Sequence, residues 1–311
     1  MTLAQQPLVV IAGPTASGKS ALALELAVRF AGEIVSCDSV AVYREFEIGA
    51  AKPSRQDRAR APHHLIDVVA PDAYFTAGEY ARLARDAARQ IAARGHLPIV
   101  CGGTGLYLRA MLDGLFAGPQ RDEALRARLR AHRRPGSLWR LLRRLDPLAA
   151  ARIHPNDEPK LIRAIEVSAT AARPISDLQR AGRDALSGFR ILRLGLSPPR
   201  ALLYDCINRR CAQMFDHGLI EETRRLLALY GPDVFAMRSL GYRQAAQHLR
   251  GECSLAEAVA SAQQGHRNYA KRQLTWFRRD PEMHWLEDFG ADVQARASEA
   301  VRSFLAAPTP P

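Results

Sequence analysis

The feature that most constrains this chain is a phosphate-binding loop of the form G-x-x-x-x-G-K-[ST]. It follows the short apolar run 8–12 and opens a segment in which Leu22, Leu26 and Phe30 recur at helical spacing. A strand, a glycine-rich turn and a helix in this order direct successive backbone N–H groups at one anion, at the positive end of the helix. The motif therefore predicts a polyphosphate site. Its residues are Gly13, Pro14, Thr15, Ala16, Ser17, Gly18, Lys19 and Ser20.

Two side chains of this loop have distinct predicted roles. Lys19 supplies positive charge to the terminal phosphate oxygens, and the Ser20 hydroxyl can complete the shell of a Mg²⁺ ion that keeps several waters. The loop alone leaves the phosphate compound open. A kinase would bind a nucleoside triphosphate here, and a prenyltransferase would bind a prenyl pyrophosphate.

Short apolar runs alternate with helical patterns in the first part of the chain. Runs 8–12, 33–37 and 97–101 predict strands, and segment 77–94 predicts a helix that ends before Gly95. Strands that alternate with helices predict a parallel sheet with right-handed crossovers. We expect ligands to bind at the carboxyl ends of these strands.

Asp38 and Thr104 stand at the ends of two predicted strands, as the phosphate-binding loop does. Asp38 could act as a general base for an attacking nucleophile, bind Mg²⁺ through water, or simply cap a turn. Thr104 lies in a Gly-Gly-Thr-Gly turn, where its hydroxyl could donate to a departing oxygen or cap the next helix. We expect these features to converge on one crevice.

The sequence pattern changes after about Gly114. Residues 121–181 are rich in Arg, Ala and Leu and are interrupted by prolines, which predicts an all-helical insertion. The predicted fold class is therefore α/β, with a P-loop NTPase-like parallel sheet flanked by helices and an inserted helical subdomain. We assign a core with the phosphate-binding loop to residues 1–115 and 190–311, and the helical insertion to residues 116–189.

The net charge indicates which class of partner the protein binds, and the cysteines indicate the redox state of its compartment. The formal net charge of +12 favours a polyanionic partner such as nucleic acid. Only four of the 44 basic residues are lysine, however, and a GC-rich genome would give a similar bias. The five cysteines lack zinc-ligand spacing and predict reduced thiols. Since the sequence has no signal-peptide pattern or spanning apolar run, we expect a cytoplasmic protein with no membrane partner.

Several blocks, in the family's order, resemble the tRNA dimethylallyltransferases, also called isopentenyl-tRNA transferases. The resemblance extends from about residue 8 to residue 287. GGTGLY and AKRQLTWFR are its most specific motifs, whereas the phosphate-binding loop alone would be weak support. The blocks are GPTASGKS at 13–20, DSVAVYR at 38–44, IGAAKP at 48–53, HHLID at 63–67, GGTGLY at 102–107, HPND at 154–157, RAIEV at 163–167, GYR at 241–243 and AKRQLTWFR at 270–278.

The resemblance implies a reaction and its partners. Dimethylallyl pyrophosphate binds with its pyrophosphate in the loop, and the acceptor is a tRNA anticodon stem-loop. The exocyclic amine of the adenosine 3′-adjacent to the anticodon, in tRNAs that read codons starting with U, attacks the allylic carbon. That adenosine must be flipped out of its stack, and pyrophosphate leaves with Mg²⁺. The resemblance also implies a monomer.

Roles for individual side chains follow from the same resemblance. Asp38 matches the general base for the amine, and Thr104 matches the hydroxyl that contacts the departing pyrophosphate oxygen. Lys19 and Ser20 match the phosphate and metal contacts, and Arg210 matches an arginine near the pyrophosphate. The resemblance makes residues 1–115 and 190–311 the P-loop catalytic core and residues 116–189 a tRNA-binding insertion. Other matched positions contact tRNA. These are the base-gripping residues Asp38, Ser39, Val40 and Ala41 with Thr104, and further along the chain Arg126, Pro159, Lys160, Leu161, Ile162, Arg163, Arg238, Ser239, Leu240, Gly241, Tyr242 and Arg243.

Some conspicuous residues have simpler interpretations. His63 and His64 lack a third metal ligand at useful spacing, so we interpret them as structural histidines. Segment 268–276 is expected to line or support the site, but Trp276 and Phe277 are expected to pack in the core.

The chain departs from the common family pattern at a few positions that bear on the finer contacts. Ala41 stands where many members have Gln, Ala50 replaces a Thr, and Lys160 stands where an arginine is usual. Cys206 stands where an arginine is frequent, and His266 replaces a Thr. These differences concern contacts to adenine and pyrophosphate rather than the reaction class.

Alternatives remain open from the residues alone. A P-loop small-molecule kinase shares the loop, the strand-end Asp38 and the parallel sheet. An adenylate isopentenyltransferase would use AMP as acceptor, although the long basic C-terminal half argues against a mononucleotide. A non-catalytic RNA-binding protein would not need Lys19, Ser20, Asp38 and Thr104 together at strand ends.

Overall fold

A computed structural model of the chain describes residues 5–131 and 134–307. The strands are β1 (Gln6–Ala12), β2 (Gly32–Cys37), β3 (His63–His64), β4 (Leu97–Gly102), β5 (Phe189–Leu196) and β6 (Met283–Leu286). The helices are α1 (Lys19–Arg29), α2 (Arg55–Arg60), α3 (Ala77–Ala93), α4 (Gly105–Leu112), α5 (Glu123–Ala131), α6 (Ser137–Leu145), α7 (Pro147–Arg152), α8 (Glu158–Thr170), α9 (Ile175–Arg180), α10 (Arg200–Asp216), α11 (Leu219–Tyr230), α12 (Tyr242–Leu249), α13 (Leu255–Phe277) and α14 (Ala291–Ala306), with a 3-10 turn at Phe235–Arg238.

The strands form one parallel sheet in the order β3-β2-β4-β1-β5-β6. The predicted α/β fold with a parallel sheet is therefore confirmed. Strands β2, β3 and β4 lie on one side of β1 in the sheet, and β5 and β6, which come later in the chain, lie on the other side. The carboxyl ends of β2, β4 and β1 are consequently neighbours, which is where a ligand crevice forms in such sheets.

Strand β1 shows why the sheet lies in the interior. Leu8 and Val10 face one hydrophobic core, and Val9 and Ile11 face a second core on the opposite side of the sheet. Side chains alternate between faces along a strand, and a parallel strand covered on both faces reads as a continuous apolar run. Helices α3 and α4 contribute to the first core, and α1 and α14 contribute to the second.

The chain divides into two compact units. The first consists of residues up to Leu112 and from Leu186 onward and contains the sheet. The second, Asp113–Ala185, is helical and has its own apolar core, in which Leu142 and Ile165 are buried. These limits lie close to the boundaries assigned from the sequence.

The two adjacent histidines of β3 have structural partners. His64 Nε2 lies 2.6 Å from Glu33 Oε2, and His63 Nδ1 lies 2.8 Å from the carbonyl oxygen of Ala61. Within residues 5–131 and 134–307, no group of three or more His, Cys, Asp or Glu side chains could hold a metal ion. Over the same residues, no helix is both long and apolar enough to cross a membrane.

Candidate active site

The phosphate-binding loop joins β1 to α1. Gly18 adopts a left-handed conformation (φ 85°) immediately before the helix, and this conformation favours glycine. Lys19 folds back over the loop, where its Nζ donates to the carbonyl oxygen of Pro14 at 3.0 Å. Burial lowers the pKa of the Lys19 ammonium, and the nearby Arg210 lowers it further, whereas Asp38 opposes the shift.

Hydroxyl groups of the loop differ in their surroundings. Ser20 is exposed at the start of α1, the positive end of that helix. Ser17 Oγ is buried and lacks a hydrogen-bond partner in the described part of the chain. Mg²⁺ takes oxygen ligands and usually keeps several waters, so one hydroxyl beside a bound pyrophosphate fits its needs without a dedicated cage. The donor set is therefore compatible with Mg²⁺ at Ser20.

Asp38 follows β2. One oxygen of its carboxylate caps a turn, and the other is not used in that turn. Its Oδ1 accepts from the backbone N–H groups of Val40 at 2.8 Å and Ala41 at 3.1 Å. The second oxygen makes no hydrogen bond within residues 5–131 and 134–307. The turn-capping alternative is thus correct for one oxygen, and the other can still receive a proton.

Thr104 follows β4 and is tied to the end of β2. Its Oγ1 accepts from the backbone N–H of Ser39 at 3.1 Å, and its own N–H donates to the carbonyl oxygen of Cys37 at 3.2 Å. Thr104 also stands at the cap position of the following helix, where its carbonyl oxygen accepts from the N–H of Leu108 at 3.1 Å, while its hydroxyl is bonded to Ser39. These bonds hold Asp38 and Thr104 at adjacent strand ends.

The glycines of the Gly-Gly-Thr-Gly turn admit α13 close to the site. A Cβ at Gly103 would lie 2.2 Å from Gln273 Nε2, and a Cβ at Gly105 would lie 2.3 Å from the Trp276 ring. Trp276 is 38% exposed, so the prediction that it packs in the core is wrong, whereas the buried Phe277 meets that prediction. The turn therefore needs small residues for a close approach as well as for its shape.

Gln273 connects the phosphate-binding loop to the Thr104 turn. Its Oε1 accepts from the N–H of Thr15 at 2.8 Å, and its Nε2 donates to the carbonyl oxygen of Gly103 at 2.9 Å. The side chain is buried. Sequence reasoning placed segment 268–276 at the site but did not identify this residue. Both partners lie far away along the chain, so only the motif block itself could have indicated it.

Arg210 on α10 and Tyr269 on α13 complete the surroundings of Asp38. Burial lowers the pKa of the Arg210 guanidinium, and the charge of Asp38 opposes that change. Burial also raises the pKa of Tyr269 to about 12, with Asp38 adding to the rise and a hydrogen bond with Thr104 opposing it. Tyr269 was not singled out from the sequence.

A cavity of about 550 Å³ opens over these groups. That volume is within the range of small-molecule sites. Four arginines and a single carboxylate line it, so the cavity is strongly positive. Its lining residues are Thr15, Asp38, Ser39, Val40, Gly49, Ala50, Arg210, Phe235, Ala236, Arg238, Ser239, Leu240, Arg243, Gly265, His266, Asn268, Tyr269 and Arg272.

The predicted tRNA-contacting positions of the first unit fall into two groups. Arg238 and Arg243 are exposed and line the cavity, together with Ser239 and Leu240. Tyr242 is fully buried; its hydroxyl donates to Glu222 Oε1, and its hydroxyl oxygen accepts from the N–H of Gly49 at 3.1 Å. A side-chain contact of Tyr242 with RNA is therefore ruled out, and the same correction applies to the buried Ala41.

The predicted positions of the helical unit need a similar correction. Leu161 and Ile162 lie in its apolar core, so their side chains cannot touch RNA. Arg126 makes two 2.7 Å hydrogen bonds to the carboxylate of Glu166, to which Arg163 NH1 also donates at 2.6 Å. Both arginines therefore have a structural role that the sequence did not indicate. Two other predicted positions are exposed, namely Pro159 and Lys160.

Glu166 is the centre of that network. Burial alone would raise the pKa of its carboxyl group, but the hydrogen bonds from Arg126 and Arg163 outweigh burial and lower the pKa to about 2. The backbone N–H of Asp122 donates to the same carboxylate at 2.8 Å. The network holds α5 against α8.

A family model and two curated relatives match most of the chain and indicate the same family. The IPP transferase family model matches residues 41–280. A Koribacter versatilis protein named tRNA dimethylallyltransferase is 61% identical over 289 residues, which cover 92% of this chain and 94% of the relative. A Solibacter usitatus protein of the same name is 56% identical over 304 residues, which cover 96% and 99% of the two chains.

Solved structures resemble the fold as well. A Staphylococcus epidermidis tRNA delta(2)-isopentenylpyrophosphate transferase is similar with a TM-score of 0.70 and 33% identity, over 97% of this chain and 99% of that one. A eukaryotic dimethylallyltransferase acting on tRNA gives a TM-score of 0.86 over 98% of this chain and 81% of that one. Its identity of 24% supports a common fold only.

Proposed function

The chain belongs to the IPP transferase family, and on that premise we propose that it is a tRNA-modifying prenyltransferase. It transfers a dimethylallyl group from dimethylallyl pyrophosphate to the exocyclic amine of the adenosine 3′-adjacent to the anticodon. The acceptors are tRNAs that read codons starting with U, and pyrophosphate is released. The protein acts as a cytoplasmic monomer.

One observation carries the proposal. Thr15 of the phosphate-binding loop and the Asp38 carboxylate line one positive cavity, and the Thr104 hydroxyl at the end of β4 is bonded to Ser39 of the same lining. A prenyl transfer to an amine needs these three elements: a place for the pyrophosphate, an acceptor for the amine proton, and a donor for the departing oxygen.

Asp38 is the group that takes the proton. As the amine nitrogen forms a bond to the allylic carbon, the bond from that carbon to the pyrophosphate oxygen breaks, and pyrophosphate keeps the electron pair. The nitrogen then carries an excess proton, which passes to the free oxygen of Asp38. The other oxygen stays bonded to the N–H groups of Val40 and Ala41, which fixes the orientation of the carboxylate.

Thr104, Lys19 and Arg210 act on the leaving group. Thr104 Oγ1 accepts from the Ser39 N–H, and its own proton, which is directed at Ser39 Oγ over a long 3.5 Å contact, would turn to the departing oxygen. Lys19 would exchange its bond to the Pro14 carbonyl for a phosphate oxygen, and Arg210 adds a second positive charge. Fixed donors that point at developing negative charge stabilise a transition state without reorganisation.

Ser20 would hold Mg²⁺ on the pyrophosphate, where the ion neutralises part of the charge. The exposed position of this hydroxyl at the end of the loop leaves room for water ligands. The proposed donor set is one protein oxygen, pyrophosphate oxygens and water.

The acceptor is proposed to be RNA rather than a mononucleotide. Arg238, Arg243 and Arg272 are exposed along the cavity. Several exposed arginines next to a reacting centre suit a polyanion that extends beyond the flipped base.

The test is transfer of radiolabelled dimethylallyl from its pyrophosphate, with unmodified tRNA, AMP and ATP as parallel acceptors. We expect label in tRNA alone, and we expect it to disappear when the adenosine beside the anticodon is replaced. Label in AMP would show a mononucleotide acceptor. Hydrolysis of ATP without any prenyl transfer would instead support a kinase.

A further inference from the structure

Two aromatic rings are exposed at the edge of the cavity. The rings of Phe235 and Tyr74 pack edge to face, with centroids 6.1 Å apart and an interplanar angle of 78°. Phe235 is 51% exposed and Tyr74 is 46% exposed. Phe235 lines the cavity that contains Asp38. Large aromatic side chains are usually buried, so an exposed pair at a binding cavity needs an explanation.

The backbone beneath the pair is held by buried neighbours. Ala236 and Met237, which follow Phe235, are buried, and Phe75, which follows Tyr74, packs edge to face against Tyr107 with centroids 6.2 Å apart. The two rings are therefore presented to solvent from fixed supports. A ring that is already fixed loses little conformational entropy when it binds a ligand.

The charges around the pair indicate the class of ligand. Arg238 lies three residues after Phe235, and Arg243 and Arg272 line the same cavity. All three arginines are exposed, and within the described residues none of them has a carboxylate at ion-pair distance. Aromatic faces combined with arginines are typical of sites for unpaired nucleotides, in which bases stack and phosphates are neutralised.

We propose that Phe235, supported by Tyr74, is a stacking platform for an unpaired base of the anticodon loop that neighbours the flipped adenosine. The inference rests on the proposed function. When the target adenosine leaves the stack, its neighbour loses a stacking partner, and unstacking costs binding energy. A ring at the cavity edge would replace that partner, while the target base occupies the part of the cavity next to Asp38.

The experiment measures binding of an unmodified anticodon stem-loop by fluorescence anisotropy for Phe235→Ala, Phe235→Leu and Phe235→Trp. Loss of stacking with one base is expected to weaken binding by roughly 5- to 150-fold in the Ala variant, which corresponds to about 1–3 kcal/mol. Phe235→Leu keeps apolar surface without a π-face and should resemble the Ala variant. Phe235→Trp should bind about as well as the wild type.

An abasic scan identifies the base. Each loop nucleotide is replaced in turn by an abasic one, and binding is compared between the wild type and Phe235→Ala. At one position the abasic substitution should weaken wild-type binding while leaving the variant unchanged, since the same contact cannot be lost twice. Equal losses at every position in both proteins would overturn the proposal.

Controls separate this inference from the proposed function. Leu229→Ala removes an exposed apolar side chain that does not line the cavity, and it should leave binding unchanged. The dimethylallyl pyrophosphate KM should be unchanged in Phe235→Ala; a raised donor KM with unchanged RNA binding would place the ring against the donor and overturn the platform. Absence of any transfer to tRNA by the wild type would refute the proposed function instead.

Discussion

The arginines of the cavity and those of the helical unit have opposite surroundings. Arg238 and Arg243 are exposed beside the cavity, and no carboxylate among the described residues pairs with them. Arg126 and Arg163 both donate to the buried Glu166. The same residue type is thus available to an anion in one region and is committed to the fold in the other.

The carboxylates show the same difference. Asp38 uses one oxygen for its own turn and makes no hydrogen bond with the other among the described residues, whereas Glu166 receives donors on both oxygens. A resemblance at the level of motif blocks does not distinguish these cases. The comparison predicts that changes at Asp38 affect catalysis and that changes at Glu166 affect stability.

Asp38→Ala should give the largest effect of the cavity group. Loss of a general base typically lowers the rate by about 10²–10⁴-fold, so we expect that reduction in kcat, measured as prenyl transfer at saturating substrates. tRNA should still bind, because the surrounding arginines remain. Asp38→Asn is a matched control that keeps the shape of the side chain. An unchanged rate in both variants would reassign the residue.

Glu166→Ala should destabilise the helical unit. Removing one partner of a buried ion pair leaves an uncompensated charge and costs about 3–5 kcal/mol. The free energy of unfolding, measured by urea denaturation, should fall by this amount. Arg302→Ala breaks an exposed pair with Glu299 and serves as a control with little expected effect. Similar losses in the two variants would contradict the structural role of Glu166.

The structural role of Glu166 should also make the stability of the protein depend on pH. The pKa of Glu166 falls from an ordinary value of 4.5 to about 2 in the folded protein. Its contribution is therefore fully present above about 4.5 and is lost as the pH falls toward 2. Urea unfolding at several pH values in this window should show a steeper loss of stability for the wild type than for Glu166→Gln. Equal slopes would refute the shifted pKa.

Gln273→Leu tests the link between the loop and the Thr104 turn. The substitution leaves the Thr15 N–H and the Gly103 carbonyl buried without partners, at a cost of about 1–3 kcal/mol for each group. Because the loop and the turn lose their common support, both stability and kcat/KM should fall. Gln273→Glu keeps an acceptor for Thr15 but sets a second acceptor against the Gly103 carbonyl and buries a charge, so it should also lose stability. Wild-type kcat/KM in the Leu variant would exclude a positioning role.

Arg238→Ala should give the smallest effect in this series. Removing one phosphate contact is expected to weaken tRNA binding modestly and to reduce the slope of log K against log salt by about one unit. Filter binding over a range of salt concentrations measures both quantities, with Arg302→Ala as the exposed control. Identical slopes in the wild type and Arg238→Ala would show that this arginine does not contact the RNA backbone.

The sequence could predict those parts of the site that are formed by residues adjacent in the chain, but not those formed by residues far apart in it. The loop, Asp38 and Thr104 follow from local patterns, because a strand and the turn after it are read from adjacent residues. Gln273 was missed, since its two bonds join residues separated by 258 and 170 positions. No local pattern encodes such a pairing.

Prediction from the sequence was also wrong for residues whose role depends on the direction in which the side chain points. Leu161 and Ile162 belong to a block matched to tRNA contact, yet they form the buried face of α8. Tyr242 begins α12 with its ring in the core, where it packs edge to face on Phe46 with centroids 4.9 Å apart. Only packing against other elements determines which face of a helix is exposed.

The central claim is that the donor and the flipped adenosine meet at the ends of β1, β2 and β4. The most direct measurement is a crystal structure with an unreactive dimethylallyl pyrophosphate analogue and an unmodified anticodon stem-loop. We expect pyrophosphate in the loop 13–20 and the adenosine amine within hydrogen-bond reach of Asp38, about 2.6–3.2 Å or through one water. An amine held elsewhere, or a pyrophosphate outside the loop, would contradict the central claim.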